Sequence, residues 1–133
     1  MKVRYIFATL VLAAFFVNCK SADLLTIHYT DQNNNHYTIN SRRLKFDPVS
    51  EKESSSGTYS GGAPAEISLK KTDFRQISEL AEKIMIASEG KNNRREMLTS
   101  VLTISGKDKT TSAILKKSED RSKLETLLQK LRQ

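Results

Sequence analysis

Cys19 is the one cysteine in a chain of 133 residues, and it directly follows an apolar run. A single thiol cannot close an internal disulfide, so the domain must be held by its core alone. His28 and His36 are the only histidines, and each opens a His-Tyr-Thr triplet. If Tyr29 faces Tyr37 across a turn, both imidazoles point to the polar side of a hairpin as diagonal neighbours, roughly 7–8 Å apart at Cα. Asp31 would be the only third metal ligand at hand. A structural zinc takes four ligands, commonly thiolates, so His28 and His36 are weak metal candidates and read as exposed strand residues, with a pH-sensitive patch as a further reading. Ser54, Ser55, Ser56 and Ser60 have no histidine or acid at a diagnostic spacing. Gly57, Gly61 and Gly62 lack the lysine and following hydroxyl of a phosphate loop. Asp73, Glu79 and Glu82 belong to a solvated helix face. No catalytic set follows from these residues, and no cofactor is implied.

The element that positions Cys19 is the N-terminal segment. Lys2 and Arg4 precede residues 6–17, IFATLVLAAFFV, an uncharged run of twelve. Twelve helical residues cover roughly 18 Å, short of a hydrocarbon core about 30 Å thick. A basic start, a short apolar run and polar residues directly after it are the pattern of a secretory signal peptide. A helix without a polar face would need burial on every side, which a domain this small can hardly provide. Two kinds of cleavage are open: by ordinary signal peptidase near Ser21 and Ala22, or directly before Cys19.

Residues 16–19, Phe-Val-Asn-Cys, resemble the lipobox of bacterial lipoprotein precursors, with Phe16 and Asn18 departing from the usual Leu-Ala-Gly/Ala-Cys. The resemblance covers residues 1–19. It implies a signal peptide over 1–18, a diacylglycerol thioether on the Cys19 sulfur and, commonly, an acylated amino group on the new first residue. Two or more acyl chains anchor a protein stably where one binds only reversibly. Residues 19–23 would then be a lipidated tether, and the location a membrane of the cell envelope, the outer membrane first.

Residues 24–133 read as one domain. Leu25, Ile27 and Tyr29 alternate with Thr26, His28 and Thr30, a polar turn spans residues 31–35, and Tyr37 and Ile39 resume the alternation. Residues 42–49 add a short strand that stops at Pro48. Residues 48–64, rich in serine and glycine, form a flexible loop; Tyr59, Ser60, Gly61 and Gly62 in it are the candidate binding residues. A strand and a helix follow, with Thr72 as N-cap, Phe74, Ile77, Leu80, Ala81 and Ile84 on one face, and Gly90 as terminator. A second hairpin turns at residues 106–109, and Ser118 caps a last helix striped by Leu124, Leu127, Leu128 and Leu131. The expected fold is α+β: a mostly antiparallel sheet of about five strands with two amphipathic helices packed on one face. ISLKKTDF and AILKKSED, 46 residues apart, echo each other as strand, Lys-Lys, hydroxyl and acid, and suggest two hairpin-plus-helix units.

Lys and Arg number 22 against 15 Asp and Glu; without Lys2 and Arg4 the basic residues are 20. This balance favours an anionic envelope component as partner beside the membrane itself, or a protein. The lysine pairs at 70–71 and 116–117 are expected at equivalent strand ends, where they could cluster. Nucleic-acid binding needs stacking aromatics on a basic face, and at 7% aromatic residues with an export signal the chain does not fit it. The expectation is a lipid-anchored, non-catalytic binding or structural module, with a protein inhibitor using residues 50–64, or an envelope-acting hydrolase, as alternatives.

Overall fold

The computed structural model describes residues 24–133. They form one antiparallel sheet of seven strands and two helices: β1 (Thr26–Thr30), β2 (His36–Ile39), β3 (Arg43–Asp47), β4 (Ala65–Ser68), α1 (Lys71–Ile86), β5 (Lys91–Asn92), β6 (Ser100–Ser105), β7 (Thr110–Leu115) and α2 (Glu119–Arg132). The strand order is β4-β3-β2-β1-β6-β7-β5. The α+β class and the antiparallel sheet agree with the sequence reading; the strand count is seven rather than about five. The addition without a sequence signal is β5, whose two residues lie opposite Ile114 and Leu115 of β7.

Alternation sets the two faces. Ile27, Tyr29, Tyr37, Ile39, Leu44, Phe46, Leu102 and Leu115 point inward and pack under Phe74, Ile77, Ala81 and Ile84 of α1 and Leu124 and Leu128 of α2. Both helices therefore cover one face. The other face carries His28, Thr38, Lys45, Thr103 and Ser112 in one cross-strand row, since the pairs Lys45–Thr38, Thr38–His28, His28–Thr103 and Thr103–Ser112 share register.

Three local expectations change. Helix α1 begins at Lys71 with Lys70 in extended backbone as N-cap, so Thr72 lies inside the first turn. Asp73 decides this start: its Oδ2 accepts the Lys70 N–H at 3.3 Å. The same helix leaves at Ala87, and Gly90, at φ +77°, makes the later turn into β5. Ser118 does cap α2, its Oγ accepting the Arg121 N–H at 3.2 Å. Lastly, the two lysine pairs do not cluster. Strands β4 and β7 run in opposite directions and are separated by four others, so Lys70–Lys71 and Lys116–Lys117 occupy opposite ends of the sheet.

Strand direction gives the domain two distinct ends. At one, β1 begins and the turns at residues 40–42 and 106–109 reverse the chain; we call it the basal end. At the other, the loop end, lie the connections β1–β2 (residues 31–35), β3–β4 (48–64) and β5–β6 (93–99). Leu24 and Asp31 are separated by seven residue steps, roughly 20 Å along a strand. Among the described residues no helix is long and apolar enough to cross a membrane.

Candidate functional site

The loop end is built on three polar side chains that the sequence does not advertise. Asn35, 5% exposed, is the first. Its amide nitrogen donates to Asp31 Oδ2 at 2.8 Å and to the Tyr59 hydroxyl at 3.1 Å, while its Oδ1 accepts the Val49 N–H at 3.0 Å. The Asp31 carboxylate in turn accepts the backbone N–H groups of Asn33 and Asn35 at 2.8 and 2.9 Å, an Asx turn that closes β1 onto β2. One amide thereby ties the β1–β2 turn to both limbs of the serine-glycine loop. That loop shuts at its base through Gly61 N–H to Val49 O at 3.0 Å. Glycine is required there: a Cβ on residue 61 would stand 2.0 Å from Asn35 Oδ1 and 2.7 Å from Pro48 Cβ.

The second is Arg121, on the inner face of α2 and 2% exposed. Its Nε donates to Glu125 Oε1 at 2.9 Å and to the Tyr29 hydroxyl at 3.3 Å. Nη1 donates to the Leu98 carbonyl at 2.6 Å, and Nη2 to Gln32 Oε1 at 3.3 Å. The Tyr29 hydroxyl donates to the same Glu125 oxygen at 2.5 Å. Burial, reinforced by the hydrogen bond to Glu125, pushes the Tyr29 phenol well above its ordinary range, so it stays a neutral donor. Burial works against the Arg121 charge, but the bond to Glu125 and the contacts with Tyr29 outweigh it and raise its pKa. A polar cavity of about 90 Å³ lies beside this cluster, lined by Tyr29, Gln32, Tyr37 and Glu125. That is room for a few waters rather than for a substrate of ordinary size.

Arg95 is the third: one of its Nη2 hydrogen bonds goes to the Asp31 carbonyl at 3.0 Å and the other to Asn34 Oδ1 at 2.8 Å. Loops 31–35 and 93–99 are joined by it. Among the described residues, the two non-glycine residues with left-handed backbone lie in these loops, Asn34 and Leu98, each at φ +66°. Asparagine tolerates that conformation; for leucine it costs about 1–2 kcal/mol. The turn that imposes it is braced on both sides. Thr99 Oγ1 donates to the Glu96 carbonyl at 2.6 Å, and Arg121 grips the Leu98 carbonyl. What this scaffold displays is apolar: Met97 is 92% and Leu98 58% exposed, and Tyr59, in the β3–β4 loop at the same end, is exposed as well.

Of the residues singled out in the sequence, Tyr59, Ser60, Gly61 and Gly62 fall at this end. Tyr59 is exposed with its hydroxyl accepting from Asn35, Ser60 Oγ accepts the Gly62 N–H at 3.2 Å, and Gly61 serves as the close-approach position. Tyr29 pairs with Tyr37 as expected, which puts His28 and His36 diagonally on the open face. Each imidazole meets a cross-strand threonine, His36 Nδ1 with Thr30 Oγ1 at 3.0 Å and His28 Nδ1 with Thr38 Oγ1 at 3.4 Å. Asp31 is turned away into its own turn, and among the described residues no group of three or more His, Cys, Asp or Glu is placed to hold a metal ion. Cys19 and the segment before it lie outside the described residues.

Arg121, Asn35 and the Met97–Leu98 pair went unseen in the sequence. Arg121 alone left a trace, since it stands three residues before Leu124 and seven before Leu128, a charge on the apolar stripe of α2. Comparison with family models, with curated proteins and with solved structures finds no match to this chain.

Proposed function

We propose that the chain is a bacterial envelope lipoprotein, anchored through lipid on Cys19, whose domain acts as a non-catalytic binding module with the loop end as its contact surface. The observation that carries this reading is the polarity of the domain. The chain enters at the basal end, five residues after Cys19, while the exposed Met97, Leu98 and Tyr59 stand at the opposite end on loops braced by Asn35, Arg95 and Arg121. A module tied down at one end and displaying apolar side chains on braced loops at the other is arranged to reach a partner across the envelope. Interfaces draw their energy from such apolar anchors set among near-neutral contacts. An envelope-acting hydrolase, the alternative, would need a cleft shared by His28, His36 and a carboxylate. Both histidines instead lie on the flat open face, so the binding reading is the one we carry forward.

Two measurements test the proposal. Intact mass of the protein extracted from membranes should match a chain starting at Cys19 plus acyl groups. An unmodified chain starting near Ala22 refutes the anchor. Photo-crosslinking from a benzophenone side chain at position 97 should give a discrete adduct in intact cells that the same group at Ser112 on the open face does not. Equal adducts from both positions, or none from 97, refute the contact surface.

A further inference from the structure

At the basal end α1 does not close fully over the sheet. A groove of about 610 Å³ runs between its first half, the start of β1 and the β6–β7 turn. Leu24, Leu25, Phe74 and Ile104 make its apolar walls. Arg75 on one side and Lys107 and Lys109 on the other form a basic rim, with Glu79 and Glu82 along the helix. Leu24, the first described residue, is half exposed at its lip. Its volume falls within the range of ligand-binding clefts.

We infer that this groove holds one ester-linked acyl chain of the diacylglycerol on Cys19, so that the domain seats itself on its own anchor. The inference rests on the lipoprotein reading above and adds a site to it. Chain length argues for this occupant. Cys19 and Leu24 are five residue steps apart, at most about 18 Å when extended, so a lipid on the sulfur lies within reach of the groove it would fill. Chemistry argues the same way. The walls are hydrocarbon, and Arg75, Lys107 and Lys109 at the rim outnumber Glu79 and Glu82 by one, while Arg42, Lys70 and Lys71 add positive charge at the same end of the sheet, a balance that suits anionic head groups. An acyl chain in the groove would also cover Leu24 and Leu25, which the domain itself leaves part-open. The consequence is orientation: the basal end is held against the bilayer, and the loop end points away from it.

Alkylated Cys19 carries no free thiol, which makes a clean reporter possible. Ser78→Cys places a thiol inside the groove, and Asp108→Cys places one on the nearby exposed turn, outside it. Each variant is purified lipidated from membranes in detergent and reacted with a charged maleimide before and after lipase removes the ester-linked chains, with the mass recorded at each stage. The expected result is at least a tenfold rise in the labelling rate at position 78 on deacylation, with no change at 108. Equal rates at 78 before and after, in protein whose mass shows the chains, overturn the groove and leave the anchor standing. Parallel rises at both positions mean that the micelle covers this end, and they overturn it as well. So does continued protection at 78 after the chains are gone. A mass without acyl groups removes the anchor reading and the groove's occupant together.

Discussion

Arg121→Met tests whether the loop end is held by one buried cation. The side chain is 2% exposed and makes hydrogen bonds to Glu125, Tyr29, Gln32 and the Leu98 carbonyl. Hydrogen bonds to a charged group contribute about 1.5–3 kcal/mol each, and breaking a buried ion pair costs about 3–5 kcal/mol. Two features moderate the loss. Methionine keeps the aliphatic packing, and Glu125, with a side chain 29% exposed, can recover water. The expected destabilisation is therefore about 3 kcal/mol, at the low end of that range. Over a domain of roughly 110 residues the unfolding entropy makes this a fall in Tm of about 13 °C. Urea denaturation followed by circular dichroism gives the global value. Tryptic cleavage after Arg94 or Arg95 under native conditions gives the local one and should accelerate several-fold, because the loop loses its brace. Glu125→Gln should cost less, about 1–2 kcal/mol, and the double variant should fall short of the sum, since both changes remove the same contact. A loss below about 1 kcal/mol with unchanged tryptic cleavage would refute the clamp.

Gly61→Ala should destabilise by about 2 kcal/mol, read as a lowered urea midpoint, because the new methyl must displace the Asn35 side chain that organises two loops; an unchanged midpoint contradicts that packing. Leu98→Gly should be more stable than Leu98→Ala by about 0.5 kcal/mol, as relief of the left-handed backbone exceeds the entropy that glycine restores to the unfolded chain; the reverse order would show that residue 98 is not strained. Alkaline stability carries a signature of Tyr29. Its folded pKa lies above the unfolded value through burial first and the bond to Glu125 next, so its contribution is complete below about pH 10 and declines above it as the unfolded chain ionises. Tyr29→Phe should flatten that decline by about 1.4 kcal/mol per pH unit, and identical slopes in the two proteins would refute it.

The fold was largely legible because its signals are periodic. Alternation in residues 25–30 and 37–39 gave the first hairpin and its register down to Tyr29 facing Tyr37, and the stripes of α1 and α2 gave the helix faces. The errors fall where a single contact outvotes a pattern. Asp73 reaching back to Lys70 starts α1 two residues before the hydroxyl that looked like a cap. Strand β5 has two residues, too few for any period, and exists because β7 offers it an open edge. The loop end was the least legible part. Tyr59 and its neighbours could be noticed by composition, but Asn35 matters only because Val49, Gly61 and Tyr59 come to it from 14 or more residues away. Nothing local in Met97 and Leu98 marks them as exposed.

The two ends of the molecule grow from one plan used twice. Strands β3 and β4 with α1, and β6 and β7 with α2, follow the same order, and their positions and directions in the sheet interchange under a two-fold rotation about an axis normal to it, passing between β2 and β1. The ISLKKTDF and AILKKSED echo falls at equivalent joints of the two units. Yet the helices start out of step, one capped at Lys70 and the other at Ser118, two residues apart in that alignment. The first side chain that each helix buries differs as well: Phe74 in α1, Arg121 in α2. Phe74 forms part of the wall of the apolar groove at the basal end. Arg121 instead holds the Leu98 and Leu115 carbonyls, Tyr29 and Gln32 at the loop end. The same strand arrangement therefore carries an apolar groove beside one helix and a buried cation clamp beside the other.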